Sequence, residues 1–181
     1  MENNQWDKNF FSKRKHIIWR AKPVCDQIVA QFNPATVIDV GCGIGEFLEE
    51  FKDRKIKITG TENTREVYPY LMIPLEDLII MDITAKPPSC SKFDLALCFM
   101  VIGRLPENKW HNCAEYLAVC SDTIITVVEH ETKWAKCMKD VGFIEDTMET
   151  VLFRQALRPY FKKTAMRSFQ HTQIFRRITN D

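Results

Sequence analysis

Residues 36–47 read TVIDVGCGIGEF, and this stretch decides the fold. Its first five residues are β-branched or apolar apart from one acid, which is typical of a buried strand. Gly41, Gly43 and Gly45 follow at alternate positions, and residues 46–54 then show the apolar spacing of a helix. Glycine permits positive φ and lets a ligand approach the backbone closely. The stretch therefore predicts a ligand-binding turn between a strand and a helix.

The rest of the chain continues this alternation of strands and helices. Short apolar or β-branched runs predict strands, and apolar residues three and four positions apart predict helices. The predicted strands span residues 36–40, 55–62, 78–81, 93–100, 123–129, 143–150 and 171–176, and the predicted helices span residues 24–32, 46–54, 106–120, 132–141 and 152–166. Pro69 and Pro74 indicate that any helix within residues 63–77 is short or broken. The pattern predicts an α/β fold with a doubly wound, mostly parallel sheet, whose ligand binds beyond the carboxyl ends of the strands.

Length and composition indicate the class of protein. The chain has 181 residues, of which 45% are hydrophobic and 27% charged, and this fits a single globular domain. The apolar runs are too short to span a membrane, and the N-terminus lacks the apolar segment of a signal peptide. Seven cysteines without a C-x-x-C pair indicate reduced thiols. We therefore expect a cytoplasmic protein that does not associate with membranes.

The net charge of +1 is unevenly distributed along the chain. Residues 1–22 carry a charge of +4, residues 23–153 carry −9 and residues 154–181 carry +6. We expect a basic N-terminal arm over residues 1–22 and a single domain over residues 23–181. Both basic ends also contain aromatic residues, a combination that binds nucleic acid through phosphates and stacking, or that covers a small anionic or glycan substrate.

Three classes of ligand use a glycine-rich turn of this kind. A P-loop needs Gly-Lys-Ser/Thr at its end, which is absent here. A dinucleotide fingerprint needs glycine at position 46, where Glu46 is expected to repel a pyrophosphate. S-adenosylmethionine has no phosphate and carries positive charges, so the acidic Asp39 suits it. The pattern D-x-G-x-G-x-G over residues 39–45 resembles the first motif of the class I S-adenosylmethionine-dependent methyltransferases.

This resemblance implies a Rossmann-like methyltransferase fold, in which a seven-stranded sheet lies between two layers of helices. It also implies that Asp39, Gly41, Cys42, Gly43 and Gly45 surround the methionine part of S-adenosylmethionine. The product formed from this cofactor is S-adenosylhomocysteine.

Residues at the ends of the later strands extend the resemblance. It implies that Glu62 accepts hydrogen bonds from the ribose hydroxyls, a placement that equally serves NAD. It further implies that Asp82 accepts from the adenine amino group and that the backbone of Ile83 lies beside the adenine ring. Cys98 and Phe99 are expected to contact the cofactor through backbone and apolar surface.

The chain departs from the family pattern after the fourth predicted strand. Family members often carry Glu at the position of Met100 and His at the position of Arg104. Arginine stays protonated, so a general base at position 104 is lost. Glu129 and His130, directly after the fifth predicted strand, are the remaining candidates for a catalytic base, although both fit equally well as polar loop residues. No metal site is predicted, because Trp134 stands where a second zinc-binding histidine would be needed.

Missing motifs restrict the methyl acceptor. No Asn/Asp-Pro-Pro-aromatic tetrapeptide and no Pro-Cys pair occurs after the fourth predicted strand, so methylation of adenine or glutamine amino groups and of cytosine C5 is disfavoured. We expect a small-molecule or glycan acceptor. Two alternatives stay open, namely a catalytically inactive scaffold that binds S-adenosylmethionine, and an RNA methyltransferase that uses the basic ends.

Overall fold

The computed structural model describes residues 8–85 and 91–179. The α-helices are α1 (Lys8–Ser12), α2 (Ala21–Phe32), α3 (Glu46–Asp53), α4 (Trp110–Cys120), α5 (Glu131–Asp140) and α6 (Thr147–Leu157). The strands are β1 (Thr36–Val40), β2 (Lys57–Glu62), β3 (Leu78–Ile80), β4 (Leu95–Phe99), β5 (Thr123–Val127), β6 (Phe143–Glu145) and β7 (Thr172–Arg177). Longer 3₁₀ segments occupy Lys13–Arg20, Arg65–Tyr70 and Thr164–His171.

Within these residues the strands form one seven-stranded sheet in the order β3-β2-β1-β4-β5-β7-β6. The first five strands pair in parallel, and β7 runs antiparallel between β5 and β6. The centre of β1 pairs on both sides, with Ile38 opposite Thr59 of β2 and Ala96 of β4. The chain leaves β1 in one direction and returns to its other side at β4, which creates the switch point where ligands bind in such sheets. The predicted doubly wound fold is confirmed.

Each face of the sheet is covered by its own apolar core. Val37, Leu95 and Ile125 point toward a core completed by α2, α3 and α6. The neighbouring residues Ile38 and Ala96 point to the opposite core, completed by α4 and α5. This alternation follows from the two-residue period of a strand, and it confirms the predicted three layers.

The N-terminal residues pack onto the domain. α1 leads through the 3₁₀ segment Lys13–Arg20 directly into α2. Phe11 is fully buried, and its ring stacks on that of Tyr70 with centroids 6.5 Å apart. The expected boundary at residue 22 therefore falls just inside α2, while residues 1–7 of the expected arm lie outside the described part of the chain.

The late part of the chain differs from its predicted elements. The predicted strand 143–150 ends at Glu145, because the Asp146 side chain accepts a hydrogen bond from Glu149 N (3.0 Å) and begins α6. The helix predicted over residues 152–166 accordingly starts earlier and ends at Leu157. Asp146 is a helix N-cap residue, and the prediction placed it inside a strand because the apolar pattern of residues 143–150 was given more weight. None of the described helices is long and apolar enough to cross a membrane.

Candidate functional site

A cavity of about 700 Å³, including space open to solvent, lies beyond the carboxyl ends of β1 to β4. Six of the predicted site residues line it: Gly41, Gly43, Glu62, Asp82, Ile83 and Phe99. We call it the first cavity. Its position at the switch point follows from the sheet order, because parallel strands bring their carboxyl ends to one edge.

The loop after β1 is held in a conformation that glycine favours. Gly41 has φ +78° and Gly43 has φ +59°. A side chain at Gly41 would place its Cβ 2.5 Å from Val101 Cγ2, so that position also requires glycine for space. Gly41 N donates to Thr61 O at 2.9 Å, which ties the loop to the end of β2. The loop thus presents bare backbone to the first cavity.

Glu62 closes one side of the first cavity. Its Oε2 accepts from Gly43 N (3.1 Å) and its Oε1 accepts from Asn63 N (2.7 Å). Burial raises the pKa of Glu62, against the two backbone N–H groups, which lower it. Each carboxylate oxygen has two lone pairs, so each can still accept from a ligand hydroxyl.

An acidic turn and apolar walls complete the first cavity. Asp82 Oδ1 accepts from both Thr84 N and Thr84 Oγ1 at 2.8 Å, and this turn fixes the segment after β3. Ile83 and Phe99 are almost fully buried and supply apolar wall. The combination of apolar wall and peripheral carboxylate suits a planar heterocycle with an amino group.

Four of the predicted site residues do not line the first cavity. Gly45, with φ +82°, begins α3, and Cys42 is buried with its Sγ donating to Gly43 O at 3.6 Å. Cys98 is fully buried in the opposite core. Asp39 is 2% exposed, and its Oδ1 has no hydrogen-bond partner among the described residues. Burial, reinforced by nearby carboxylates, raises the pKa of Asp39 to about 8.

A buried ion cluster lies beneath the loop. The Glu46 carboxylate, 1% exposed at the start of α3, accepts from Arg14 and from Arg20 Nη2 (2.8 Å). Arg20 is itself 3% exposed, and its burial lowers its pKa. Two guanidinium groups thus balance the charge of Glu46, which its position in the sequence alone did not indicate.

The N-terminal segment, residues 8–20, also contributes to the first cavity, although the sequence patterns did not place it there. Phe10 and Arg14 line the first cavity, and a Cβ at Gly43 would lie 3.4 Å from Arg14 Nε. The guanidinium groups of Arg14 and Arg104 lie over the Phe10 ring, 5.6 and 5.4 Å from its centroid. Such cation–π contacts place two positive charges in the lining of the first cavity. The interleaving of basic and aromatic residues indicated that this segment contacts a ligand, but not that it lines this cavity.

A second cavity of about 680 Å³, including space open to solvent, adjoins the first. It is lined by Met100, Gly103, Arg104, Val127, Val128, Glu129, His130 and Ser168. The two predicted base candidates, Glu129 and His130, therefore lie in this cavity and not in the first. The His130 ring lies 5.9 Å from the Trp110 ring. No cluster of three or more potential metal-binding side chains occurs among residues 8–85 and 91–179.

The buried Asp39 predicts a specific pH dependence of stability. A carboxyl whose folded pKa is about 8 holds its proton more tightly than in the unfolded chain, where its pKa is about 3.9. The preference of the folded protein for protonated Asp39 stabilises it fully below about pH 3.9, and this stabilisation is lost as the pH rises toward 8. We expect Asp39→Asn to stabilise the ligand-free protein progressively over this window, by on the order of a few kcal/mol at pH 8. Urea unfolding of both proteins at several pH values measures the difference, and a difference that does not change with pH would contradict it.

Comparisons with known proteins agree with this geometry. The profile of the methyltransferase domain family matches residues 15–121, more than half of the chain. No curated protein matches significantly. A TehB-like SAM-dependent methyltransferase from Corynebacterium glutamicum has 16% identity and a TM-score of 0.62, with 77% of this chain and 84% of that chain covered.

Two further solved structures share the fold. Magnesium protoporphyrin IX methyltransferase from Synechocystis, solved with bound SAM, has 20% identity and a TM-score of 0.57, covering 76% of this chain and 74% of that chain. The methyltransferase candidate in a complex with the Haloferax volcanii Trm112 methyltransferase activator has 15% identity and a TM-score of 0.65, covering 97% of both chains. These structures establish the fold, and the profile match establishes the family. The chain therefore belongs to the methyltransferase domain family and is an S-adenosylmethionine-dependent enzyme of the predicted class I fold.

Proposed function

We propose that the protein transfers a methyl group from S-adenosylmethionine to a small-molecule or glycan acceptor, with the cofactor in the first cavity and the acceptor in the second. The observation that carries this proposal is the convergence of the glycine loop, Glu62 and Asp82 on one cavity at the switch point of the sheet.

Successive strand ends of the first cavity would hold successive parts of the cofactor: methionine after β1, ribose after β2 and adenine after β3. The bare backbone at Gly41 and Gly43 would hold the methionine part, and the Arg14 guanidinium beside Gly43 would pair with its carboxylate. Glu62 would accept from the ribose hydroxyls. Asp82 and the apolar wall would hold the adenine.

The bound cofactor supplies an electrophilic methyl group on a positively charged sulfur. The contribution of the protein is to orient the two reactants, because a displacement with both reactants in place needs little further assistance. Phe10, Phe99 and Val101 line the first cavity and would shield the bound cofactor from water. Glu129 and His130 are in reach of an acceptor in the second cavity, where polar side chains recognise its functional groups.

An acceptor screen with methyl-labelled S-adenosylmethionine tests this proposal. The panel contains small carboxylic acids, amines, phenols, oligosaccharides and RNA, and Gly43→Val serves as a control with a strained loop whose added side chain enters the first cavity. We expect label in a small molecule or glycan with the wild-type protein and none with the variant. Label confined to RNA, or cofactor binding without transfer to any acceptor, would contradict the proposal and favour the RNA methyltransferase or the inactive scaffold.

A further inference from the structure

We infer that the second cavity binds a small carboxylic acid and that Arg104 holds its carboxylate against the methyl group, which makes the product a methyl ester. This inference rests on the proposed function and adds the class of acceptor to it. Its starting point is the boundary between the two cavities, since Met100 and Arg104 are the described residues that line both. An acceptor that reaches from the second cavity into the first must pass these two side chains.

Met100 is held at this boundary in an unusual conformation. It follows β4 directly and has φ +60°, a left-handed conformation that costs energy for a residue other than glycine. Its backbone N donates to Val127 O at 3.1 Å, and its thioether accepts from Ser168 Oγ (3.3 Å) and Arg20 Nη1 (3.7 Å). Strain that is held in place by several partners is characteristic of functional positions.

The strained Met100 in turn positions Arg104. Arg104 Nε donates to Met100 O at 2.9 Å, which orients the guanidinium at the boundary. Partial desolvation and the nearby Arg14 lower the pKa of Arg104, whereas Glu129 raises it. A guanidinium nevertheless stays protonated at neutral pH, because its ordinary pKa is far above 7. Arg104 is therefore a permanent cation at the point where the acceptor meets the cofactor.

The chemistry of these two side chains restricts the nucleophile. Neither a thioether nor a guanidinium can accept a proton at neutral pH, so a nucleophile beside them has to arrive with its attacking lone pair already free of a proton. Alcohols and amines carry their protons at pH 7, whereas a carboxylic acid has lost its proton. Arginine also matches a carboxylate in geometry and charge. A carboxylate acceptor thus explains both why position 104 needs no base and why it carries a cation.

The proposed reaction needs no proton transfer. A carboxylate oxygen of the acceptor donates an electron pair to the methyl carbon, and the carbon–sulfur bond breaks with its electron pair left on sulfur. The products are a neutral methyl ester and S-adenosylhomocysteine, so one negative and one positive charge disappear together. Arg104 binds the carboxylate before the reaction and leaves one of its oxygens to attack.

Glu129 and His130 lie farther from the first cavity than Met100 and Arg104 do, on the acceptor side of the boundary. Both line the second cavity and neither lines the first, so they face the body of the acceptor. The negative charge of Glu129 acts on Arg104 and offsets part of its positive charge. This balance favours an acceptor with a single negative charge over a phosphate monoester with two. Val127 and Val128 provide apolar wall for the rest of the molecule.

Matched probes test this inference by binding as well as by turnover. Isothermal titration is carried out with the protein saturated by S-adenosylhomocysteine, using benzoate and hexanoate, their neutral amides, and phenyl phosphate. We expect each carboxylate to bind about 10-fold or more tightly than its amide, the gain of a charge-assisted hydrogen bond. Arg104→Gln should abolish this preference and Arg104→Lys should restore part of it. Lys57→Gln, which removes an exposed charge at the opposite end of β2, should leave it intact.

The outcomes separate this inference from the proposed function. Binding of S-adenosylhomocysteine without a preference for any carboxylate, or a preference that survives in Arg104→Gln, would overturn the carboxylate acceptor alone. Tighter binding of phenyl phosphate than of benzoate would overturn it too. A wild-type protein that does not bind S-adenosylhomocysteine would overturn both. In a labelling assay, the expected product releases its methyl group as methanol on mild alkaline hydrolysis, and an alkali-stable product would contradict the ester.

Discussion

Gly43→Val is expected to weaken S-adenosylmethionine binding about 100-fold or more, the loss that corresponds to about 3 kcal/mol. Gly43 has φ +59°, which a β-branched residue adopts only with strain. Its N–H also donates to Glu62 Oε2, so a displaced loop would disturb the proposed ribose contact. The added side chain would in addition enter the first cavity beside Arg14, whose Nε lies 3.4 Å from the Cβ position. Isothermal titration of the variant measures this loss directly.

Gly142→Val is the matched control for that variant. Gly142 has φ +87°, and a Cβ there would meet nothing within 4 Å, so the substitution introduces similar backbone strain at a site remote from both cavities. We expect this variant to lose stability and to keep its affinity for the cofactor. If both variants lost the same affinity for the cofactor, backbone strain in general would be the cause. Unchanged affinity in Gly43→Val would show that the loop is not the cofactor site.

Glu46→Gln is expected to destabilise the protein by about 3–5 kcal/mol, the usual result of removing one partner from a buried ion pair. Glu46 and Arg20 are 1% and 3% exposed, so water cannot solvate the guanidinium group that loses its partner. The variant would keep the shape of the side chain but leave Arg14 and Arg20 without their shared carboxylate. Because this cluster joins the 3₁₀ segment Lys13–Arg20 to the start of α3, we expect weaker cofactor binding as well. Urea unfolding followed by circular dichroism measures the change in stability.

The exposed pair between Glu50 and Arg54 supplies the control for this variant. Glu50 also lies in α3, and its carboxylate accepts from Arg54 Nη1 at 2.7 Å with both side chains partly in solvent. Glu50→Gln should cost only about 0–1 kcal/mol, as is usual for surface ion pairs. A loss below about 1 kcal/mol for Glu46→Gln would contradict the view that the buried cluster stabilises the domain.

The sheet and its glycine loop could be predicted because their signals are local. The β-branched run of β1 and the glycines after it lie within twelve residues, and each later strand has its own apolar run. Pro69 and Pro74 likewise predicted a broken crossover, where the structure has only the short 3₁₀ segments Arg65–Tyr70 and Leu75–Asp77.

The contribution of the N-terminal segment could not be predicted, because it depends on contacts between distant parts of the chain. Arg14 and Glu46 are 32 residues apart, and the pattern around either one resembles an ordinary solvated helix. The sequence shows that position 46 is acidic, but not that two arginines from another segment surround it. The same reason explains why the first and second cavities could not be distinguished before the structure showed Met100 and Arg104 between them.

Isothermal titration of the wild-type protein with S-adenosylmethionine, S-adenosylhomocysteine and NAD tests the central claim, that the first cavity holds this cofactor. NAD is the appropriate comparison because a carboxylate in the position of Glu62 serves its ribose equally well. We expect both S-adenosyl compounds to bind with dissociation constants on the order of micromolar, and NAD not to bind measurably at millimolar concentration. Binding of NAD with no binding of either S-adenosyl compound would contradict the account.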